Sequence, residues 1–109
     1  MLYELEDFID RYGNKPYERW FEKLRDMRAK DAISKRMSKI RRSGDFGDCR
    51  YVGKGVWELR IHEGQGYRVY HARIGNRVVL LLCGGGKTGQ QSDIELAQSY
   101  YRYYRLHHH

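Results

Sequence analysis

The residues with the clearest potential for chemistry are basic side chains on two neighbouring predicted strands. Arg60 and His62 stand two residues apart on one strand, and Arg68 and Tyr70 stand two residues apart on the next. Because side chains alternate between the two faces of a strand, each pair lies on a single face. Two arginines side by side repel each other unless an anion lies between them. The pattern indicates either a phosphate site or an internal salt bridge, with Glu58 as the available carboxylate.

A glycine-rich segment, residues 84–90, follows the most apolar predicted strand and contains Lys87. The spacing of its glycines does not match the phosphate loop of nucleotide hydrolases, so ATP or GTP hydrolysis is not expected. Glycines do let the backbone approach a ligand closely, and a lysine at the end of a strand can reach a phosphate. We therefore count Lys87 among the candidate anion-binding groups.

The sequence predicts neither a cofactor nor a metal site. His62 and His71 are isolated and lack the spacing of a metal-ligand pair. Cys49 and Cys83 form neither a disulfide framework nor a zinc motif, and Cys83 ends an apolar strand where a core position is expected. The candidate chemistry then rests on arginine, lysine, histidine and carboxylate side chains.

Positive charge is concentrated in one part of the chain. The formal net charge is +7, and residues 15–42 hold eleven Lys or Arg against four Asp or Glu, while the remaining residues hold equal numbers of both signs. This basic segment includes Arg36 and Lys39. Such a surplus suits a polyanion or an acidic partner protein, and the alternative is an ordinary solvated helix face.

Hydrophobic periodicity predicts two helices in the N-terminal half. Residues 2–9 alternate imperfectly and could form a strand. Apolar residues at steps of three and four predict a first helix from Pro16 to about Met27 and a second from about Lys30 to Arg41. Pro16 is expected at the first helical position. Few helix breakers separate the two segments, which favours a tight helical hairpin or one kinked helix.

The period changes to two after residue 48, which predicts an antiparallel sheet of about four strands. Val78–Cys83 is apolar throughout and is expected to be a central strand covered on both faces. Gly84–Gly86 are expected to end the sheet. A closing helix is expected to begin between residues 90 and 93, capped by Ser92 or Asp93. The order of elements predicts an α+β fold.

The chain length of 109 residues is typical of one domain. We expect residues 1–106 to form that domain and residues 107–109, three histidines, to be the remnant of an affinity tag. No apolar run approaches the roughly 20 residues that span a bilayer. The acidic N-terminus is also unlike a signal peptide. A cytoplasmic location without membrane attachment is therefore expected.

Several segments in the second half of the chain have a recognisable pattern. They are residues 58–62 (ELRIH), 66–70 (GYRVY) and 78–87 (VVLLLCGGGK), followed by Gln90 and by Asp93-Ile94. In this order they resemble the RelE/ParE toxin superfamily, and above all its HigB-like branch, the phage Gp49-like addiction-module killer proteins. The resemblance covers nearly the whole chain in element order. It implies a RelE-like, microbial-ribonuclease-like sheet that carries the active face.

The resemblance implies a function and a set of partners. It implies the toxin of a type II toxin–antitoxin system, a metal-independent endoribonuclease that cleaves messenger RNA, commonly on the ribosome. A cognate antitoxin of the helix-turn-helix type would neutralise it, and operator DNA would be contacted only through the complex of the two. The alternatives are a ParE-like inhibitor of DNA gyrase and a non-catalytic member that binds only its antitoxin and operator DNA.

The resemblance also implies site residues. Arg68 matches the strand arginine that ribonucleases of the family place against the scissile phosphate, Arg60 matches a basic position on the preceding strand, and Lys87 matches the basic position after the last strand. His62 is the expected proton carrier, because an imidazole gives and accepts a proton near neutral pH. Asp93 would orient a base or act as one. RNA contacts are expected from five further residues: Gln90, Tyr70, Lys54, Arg36 and Lys39.

Overall fold

The computed structural model describes residues 2–108 and contains five strands and three helices. In chain order they are β1 (Glu4–Asp7), α1 (Pro16–Lys23), α2 (Met27–Ser43), β2 (Cys49–Gly53), β3 (Val56–Ile61), β4 (Tyr67–Ile74), β5 (Val78–Gly86) and α3 (Gln90–His107). One sheet contains all five strands in the order β1-β5-β4-β3-β2, with β1 parallel to β5 and the other pairs antiparallel. The α+β class, the N-terminal strand, the helical pair, the meander and the closing helix are confirmed.

The sheet is covered by helices on both faces. On one face α1 and α2 pack around a core that includes Ile33, Leu59 and Val69. On the other face α3 packs around a core that includes Tyr70 and Leu80. Strand β5 lies inside the sheet, and residues 79–83 are buried, as its uninterrupted apolar run predicted. Successive side chains along β3 and β4 therefore point alternately into these two cores.

The helical pair breaks at a different place from the one expected. Helix α1 begins at Pro16 as predicted, but it ends at Lys23 instead of near Met27, and α2 begins at Met27. The cause is Asp26, which caps α2 by accepting a hydrogen bond from the Ala29 N–H at 3.0 Å. Met27 consequently occupies the first turn of α2 and is 71% exposed instead of continuing the apolar stripe of α1.

Strand β5 continues through the glycines that were expected to end the sheet. Residues 84–86 pair with residues 67–69 of β4, beyond a bulge at Leu82. These glycines are needed because the flanking helices approach the strand closely: a Cβ at Gly84 would overlap the Trp20 ring, and one at Gly85 would overlap the Asp93 carboxylate. Close packing, not a turn, explains why glycine occupies these positions.

We expect Gly84→Ala to destabilise the fold by about 1–3 kcal/mol, because the added methyl must displace the Trp20 ring from a packed interface. Chemical denaturation measures the change. In the double variant Gly84→Ala/Trp20→Leu the two effects should not add, because the smaller side chain leaves room for the methyl. Full additivity would show that contact with Trp20 is not the cause.

Helix α3 begins at Gln90, within the expected range, but neither expected residue caps it. Gly89 is the N-cap, with a left-handed φ of 78°, and Ser92 Oγ donates a hydrogen bond to the Gly89 carbonyl at 3.0 Å. Asp93 turns towards the sheet, where its carboxylate lies against Gly85. The close approach of α3 to β5 thus delivers a carboxylate to the face that carries the candidate arginines.

A histidine is buried in the layer between α2 and the sheet. His71 has no exposed surface, its Nε2 accepts a hydrogen bond from Arg73 Nε at 3.2 Å, and its ring stacks on Phe46. Burial, helped by the charge of Arg73, lowers the pKa of His71 from 6.5 to about 3. His71 is therefore a neutral core residue near pH 7.

This histidine should make the fold less stable in acid. Between pH 6.5 and about 3 the unfolded chain binds a proton at His71 that the folded chain does not. The free energy of unfolding should therefore fall by up to about 1.4 kcal/mol for each pH unit in this window. Urea denaturation of the wild type and of His71→Phe as a function of pH measures the contribution. An equally steep acid slope in both proteins would contradict it.

Candidate functional site

The arginines of the sheet meet at one buried carboxylate. Glu58 in β3 has no exposed surface, and its Oε1 accepts hydrogen bonds from Arg50 Nε at 3.0 Å and from Arg60 Nε at 3.3 Å. The Nε of Arg68 lies 3.6 Å from Oε2. We call these three arginines and Glu58 the arginine cluster. One carboxylate faces three guanidinium groups, so the cluster keeps an excess of positive charge.

Two neutral side chains complete the surroundings of Glu58. Its Oε2 accepts hydrogen bonds from the Tyr70 hydroxyl at 3.1 Å and from Gln90 Nε2 at 2.9 Å. Burial alone would raise the pKa of Glu58, but the hydrogen bonds from Arg50, Gln90 and Tyr70 lower it below its usual value. Tyr70 and Gln90 were both expected to contact RNA. Tyr70 is instead fully buried, so its ring does not face solvent for a base to stack on.

Strand register brings the cluster together. Arg50 lies directly opposite Glu58 in the β2–β3 pair, and Arg60 lies directly opposite Arg68 in the β3–β4 pair. The expected salt bridge between Arg60 and Glu58 is present. This salt bridge leaves the cluster with a net positive charge. The exposed fraction of each arginine side chain is 48% for Arg50, 36% for Arg60 and 18% for Arg68. An anion can therefore reach the cluster from solvent.

Arg68 connects the cluster to the loop that contains Lys87. Its Nη1 donates a hydrogen bond to the Gly86 carbonyl at 3.4 Å, and its Nε is buried without a hydrogen-bond partner among the described residues. Gly86 and Lys87 line a depression of about 320 Å³, together with Gln65 and Thr88. The Lys87 stem packs over Gly66. One end of β5 thus combines a cation, a partly exposed glycine backbone and a guanidinium N–H without a hydrogen-bond partner among the described residues.

His62 has a carboxylate partner that the sequence did not reveal. Its Nε2 is hydrogen-bonded to Asp48 Oδ2. This bond lowers the pKa of Asp48, and the charge of Arg60 adds to the effect, while desolvation opposes it. Because an ionised carboxylate only accepts hydrogen bonds, a neutral imidazole paired with Asp48 carries its proton on Nε2 and leaves Nδ1 as a proton acceptor. A histidine oriented by a carboxylate is the usual arrangement of a general base.

Asp93 supplies a second carboxyl group beside Arg68. Burial raises the pKa of Asp93, and the charge of Arg68 opposes that rise. A carboxyl group with a raised pKa is better suited to exchange a proton near neutral pH than an ordinary aspartate. Together with the pair of His62 and Asp48, Asp93 gives the site a second group for proton transfer.

The remaining candidate cations lie away from the cluster or have internal partners. The guanidinium of Arg36 donates hydrogen bonds to three backbone carbonyls, those of residues 46, 48 and 60, and so ties α2 to the sheet. Lys39 forms a salt bridge with Asp45 at 3.2 Å. Lys54 lies in the β2–β3 turn, at the end of β3 opposite to His62. Of these three expected RNA contacts, Arg36 therefore reaches the backbone of the cluster residue Arg60 but is used by carbonyls there, Lys39 is paired with Asp45, and Lys54 lies at the far end of β3.

Residues 2–108 contain neither a candidate metal cluster nor a helix that could span a membrane. Their histidine, cysteine and acidic side chains form no group of three or more that could hold a metal ion. None of α1, α2 and α3 combines the length and the apolar character needed to cross a membrane.

Comparison with known proteins identifies the family. A family model described as "Phage derived protein Gp49-like (DUF891)" matches residues 19–102. A protein of Haemophilus influenzae (strain ATCC 51907 / DSM 11121 / KW20 / Rd), described as an uncharacterized protein, is 45% identical over 82 residues, which are 75% of this chain and 82% of that protein. The chain therefore belongs to the phage-derived Gp49-like family, a family of addiction-module killer proteins.

Proposed function

We propose that this protein is the toxin of a type II toxin–antitoxin pair, a HigB-like member of the RelE/ParE superfamily, and that it cleaves messenger RNA. Family membership supports the toxin role. The observation that carries the ribonuclease role is the arginine cluster, in which three partly exposed arginines share one buried carboxylate. An RNA phosphate carries the negative charge that would balance the cluster, and its oxygens accept hydrogen bonds from arginine side chains.

The proposed reaction is an internal phosphodiester transfer. The RNA 2′-hydroxyl attacks the adjacent phosphate, and the bond to the 5′-oxygen of the next nucleotide breaks. The products are a 2′,3′-cyclic phosphate and a 5′-hydroxyl end. Negative charge gathers on the phosphate oxygens in the transition state, where Arg60, Arg68 and Lys87 stabilise it. One donor aimed at such a charge contributes about 2.7–4 kcal/mol.

Proton transfer in this proposal is shared between two groups. His62, oriented by Asp48, takes the proton of the attacking 2′-hydroxyl through Nδ1. Asp93, whose pKa burial raises, is the group that protonates the departing 5′-oxygen. Both groups flank the arginines: Arg60 acts on the pKa of Asp48, and Arg68 acts on that of Asp93.

The partners follow from the same reasoning. The family implies an antitoxin partner. We infer that this antitoxin is a helix-turn-helix protein, that messenger RNA is cut on the ribosome in the cytoplasm, and that operator DNA is bound only through the toxin–antitoxin complex.

Induced expression followed by primer extension on cellular transcripts tests the function. Growth arrest with transcripts that end in 5′-hydroxyl groups is the expected result, and co-expression of the product of an adjacent helix-turn-helix gene should restore growth. Growth arrest with intact transcripts and a DNA-damage response would show a gyrase inhibitor instead. Normal growth would show a non-catalytic member. Either of the last two results contradicts the proposal.

A further inference from the structure

A second basic depression lies between the β2–β3 turn and the exposed side of α3. Its volume is about 490 Å³. We call it the α3 groove. Every side chain that lines it is polar or charged, and the ones that matter here are Lys54, Arg102, Arg105, Glu95, Gln91 and Gln98. The groove thus combines three cations and two amides with a single carboxylate.

The cations of the α3 groove are not neutralised internally. Within the part of the chain that the structure describes, Lys54, Arg102 and Arg105 form no salt bridge with any carboxylate. The guanidinium of Arg105 lies over the ring of Tyr101, with its central carbon 4.9 Å from the ring centroid. A concave surface with uncompensated cations attracts an anion much more strongly than a flat, paired one.

The β2–β3 turn is built to hold Lys54 against α3. Gln98 Nε2 donates hydrogen bonds to the carbonyls of Val52 at 3.0 Å and Gly53 at 3.4 Å. Gly55 packs so closely on the Tyr101 ring that a Cβ there would touch it at 2.5 Å. The groove is therefore a fixed feature of the fold and does not depend on long side chains meeting by chance.

Lys54 itself occupies an unfavourable backbone conformation. Its φ is 55°, and among the described residues it alone has a positive φ without being glycine. The left-handed region costs a lysine free energy that it does not cost glycine, and both neighbours of Lys54 are glycines. A strained residue of this kind points to a role for its side chain. In the α3 groove that side chain contributes positive charge.

We propose that the α3 groove binds the phosphate backbone of the RNA strand whose scissile bond lies in the arginine cluster. The inference rests on the proposed ribonuclease function. Gln90 of α3 donates to Glu58 in the cluster, and Gln98 of the groove donates to the carbonyl of Val52, two residues along β2 from Arg50, so α3 and β2 both extend from the cluster to the groove. From Gln91 to Arg105, α3 extends about 21 Å, which is room for several nucleotides beyond the cleaved bond.

The lining favours a nucleic acid over a protein as the occupant. Phosphate and sugar contacts are made by arginine, lysine, glutamine and serine side chains, which are the types present here. Protein interfaces depend on aromatic or aliphatic anchors that fill apolar pockets. The α3 groove has no apolar side chain in its lining. RNA is therefore the occupant that its chemistry fits.

Binding of two non-cleavable probes tests the proposal. The probes are 2′-O-methyl oligoribonucleotides of twelve and three nucleotides, measured by fluorescence anisotropy over a range of salt concentrations. Arg102→Ala/Arg105→Ala should weaken binding of the long probe about tenfold and reduce its log–log salt slope by about 1.4, because each single-strand phosphate contact contributes about 0.7. Binding of the short probe should not change. Arg77→Ala removes a positive charge from an exposed position in the β4–β5 turn, outside the basic segment and outside the groove lining, and should leave both probes unaffected.

Lys54→Gly distinguishes the cost of the backbone conformation at residue 54 from the contribution of the lysine side chain to RNA binding. Glycine accepts the positive φ, so the melting temperature should rise by about 4 °C while affinity for the long probe falls several-fold. A more stable protein that binds the long probe as tightly as the wild type would overturn the proposal. Equal weakening of both probes by Arg102→Ala/Arg105→Ala would also overturn it, because the groove would then act on the cluster itself.

Failure of this inference and failure of the proposed function give different results. If the wild type cleaves RNA and the groove variants match it on the long probe, the groove is not used and the ribonuclease stands. If the wild type cleaves no RNA but the groove variants still lose affinity for the long probe, the ribonuclease proposal fails while the groove's affinity for RNA stands. Loss of antitoxin affinity alone, with RNA binding intact, would assign the groove to a protein partner and overturn the inference.

Discussion

Arg68→Ala should lower the rate of RNA cleavage by about 10²–10³-fold, the usual cost of removing one donor that stabilises transition-state charge. Among the cluster arginines, Arg68 has the smallest exposed fraction, 18%, and its Nε is buried without a hydrogen-bond partner among residues 2–108. A donor held in a partly desolvated site needs little reorganisation when negative charge develops in front of it. Single-turnover cleavage of a defined RNA measures the effect.

The companion variant Arg68→Lys distinguishes geometry from charge. Lysine keeps the positive charge but loses the planar fork that binds two phosphate oxygens. We expect kcat to fall substantially and KM to change little, because the lost interaction belongs to the transition state. Arg77→Ala, at an exposed position in the β4–β5 turn beyond the end of β4 that is opposite to Arg68, should retain full activity. Full growth inhibition by Arg68→Ala, with normal expression and melting temperature, would contradict the assignment.

The arginine cluster was partly predictable because strands have a period of two. Polar and apolar residues alternate around Arg60 and Arg68, and a short loop that contains glycine joins the two strands. This pattern predicts that both arginines lie on one face of the sheet. Glu58 is two residues before Arg60 and therefore lies on the same face. Arg50 was missed although the same rule applies to it. Its position opposite Glu58 depends on the register of the β2–β3 hairpin, and that register shifts between Tyr51 and Gly53, so counting from the turn misplaces it.

Other features depend on tertiary contacts that no local pattern records. The glycines at 84–86 have the composition of a loop, but they are strand residues because Trp20 and Asp93 occupy the space of their missing side chains. Asp48 and His62 are fourteen residues apart in the sequence and lie outside the strands, so periodicity does not relate them. Local propensity is weak evidence wherever a neighbouring element decides the available space.

The charge of residues 15–42 shows the same limit. Composition correctly indicates a basic helical pair, but it does not indicate which cations are available to a ligand. Arg36 is used for backbone carbonyls and Lys39 is paired with Asp45. The arginines with uncompensated charge lie in the part of the chain that holds equal numbers of acidic and basic residues. They are Arg50, Arg60 and Arg68, which share a single carboxylate. Availability depends on partners in three dimensions and not on the local sum of charges.

Glu58→Ala should destabilise the fold by about 1–3 kcal/mol, because the buried hydrogen bonds of this carboxylate are lost while solvent screens part of the charge of the partly exposed arginines. Three arginines would then face each other with no anion between them, and the hydroxyl of buried Tyr70 would lose its acceptor. Urea denaturation measures the loss. Glu22→Ala, at an exposed position on α1, should change stability by no more than about 0.5 kcal/mol.

The pH dependence of the same variant identifies the charge as the cause. The pKa of Glu58 is lower in the folded protein than in the unfolded chain, so its stabilising contribution is present above the unfolded value of 4.5 and is lost as pH falls through the folded value. The wild type and Glu58→Ala should therefore converge in stability in strong acid. Added phosphate should partly restore the variant at neutral pH, because an anion between the arginines replaces the missing carboxylate. A difference between the two proteins that persists unchanged in acid, with no response to phosphate, would show that Glu58 acts through packing and that the arginines do not form an anion site.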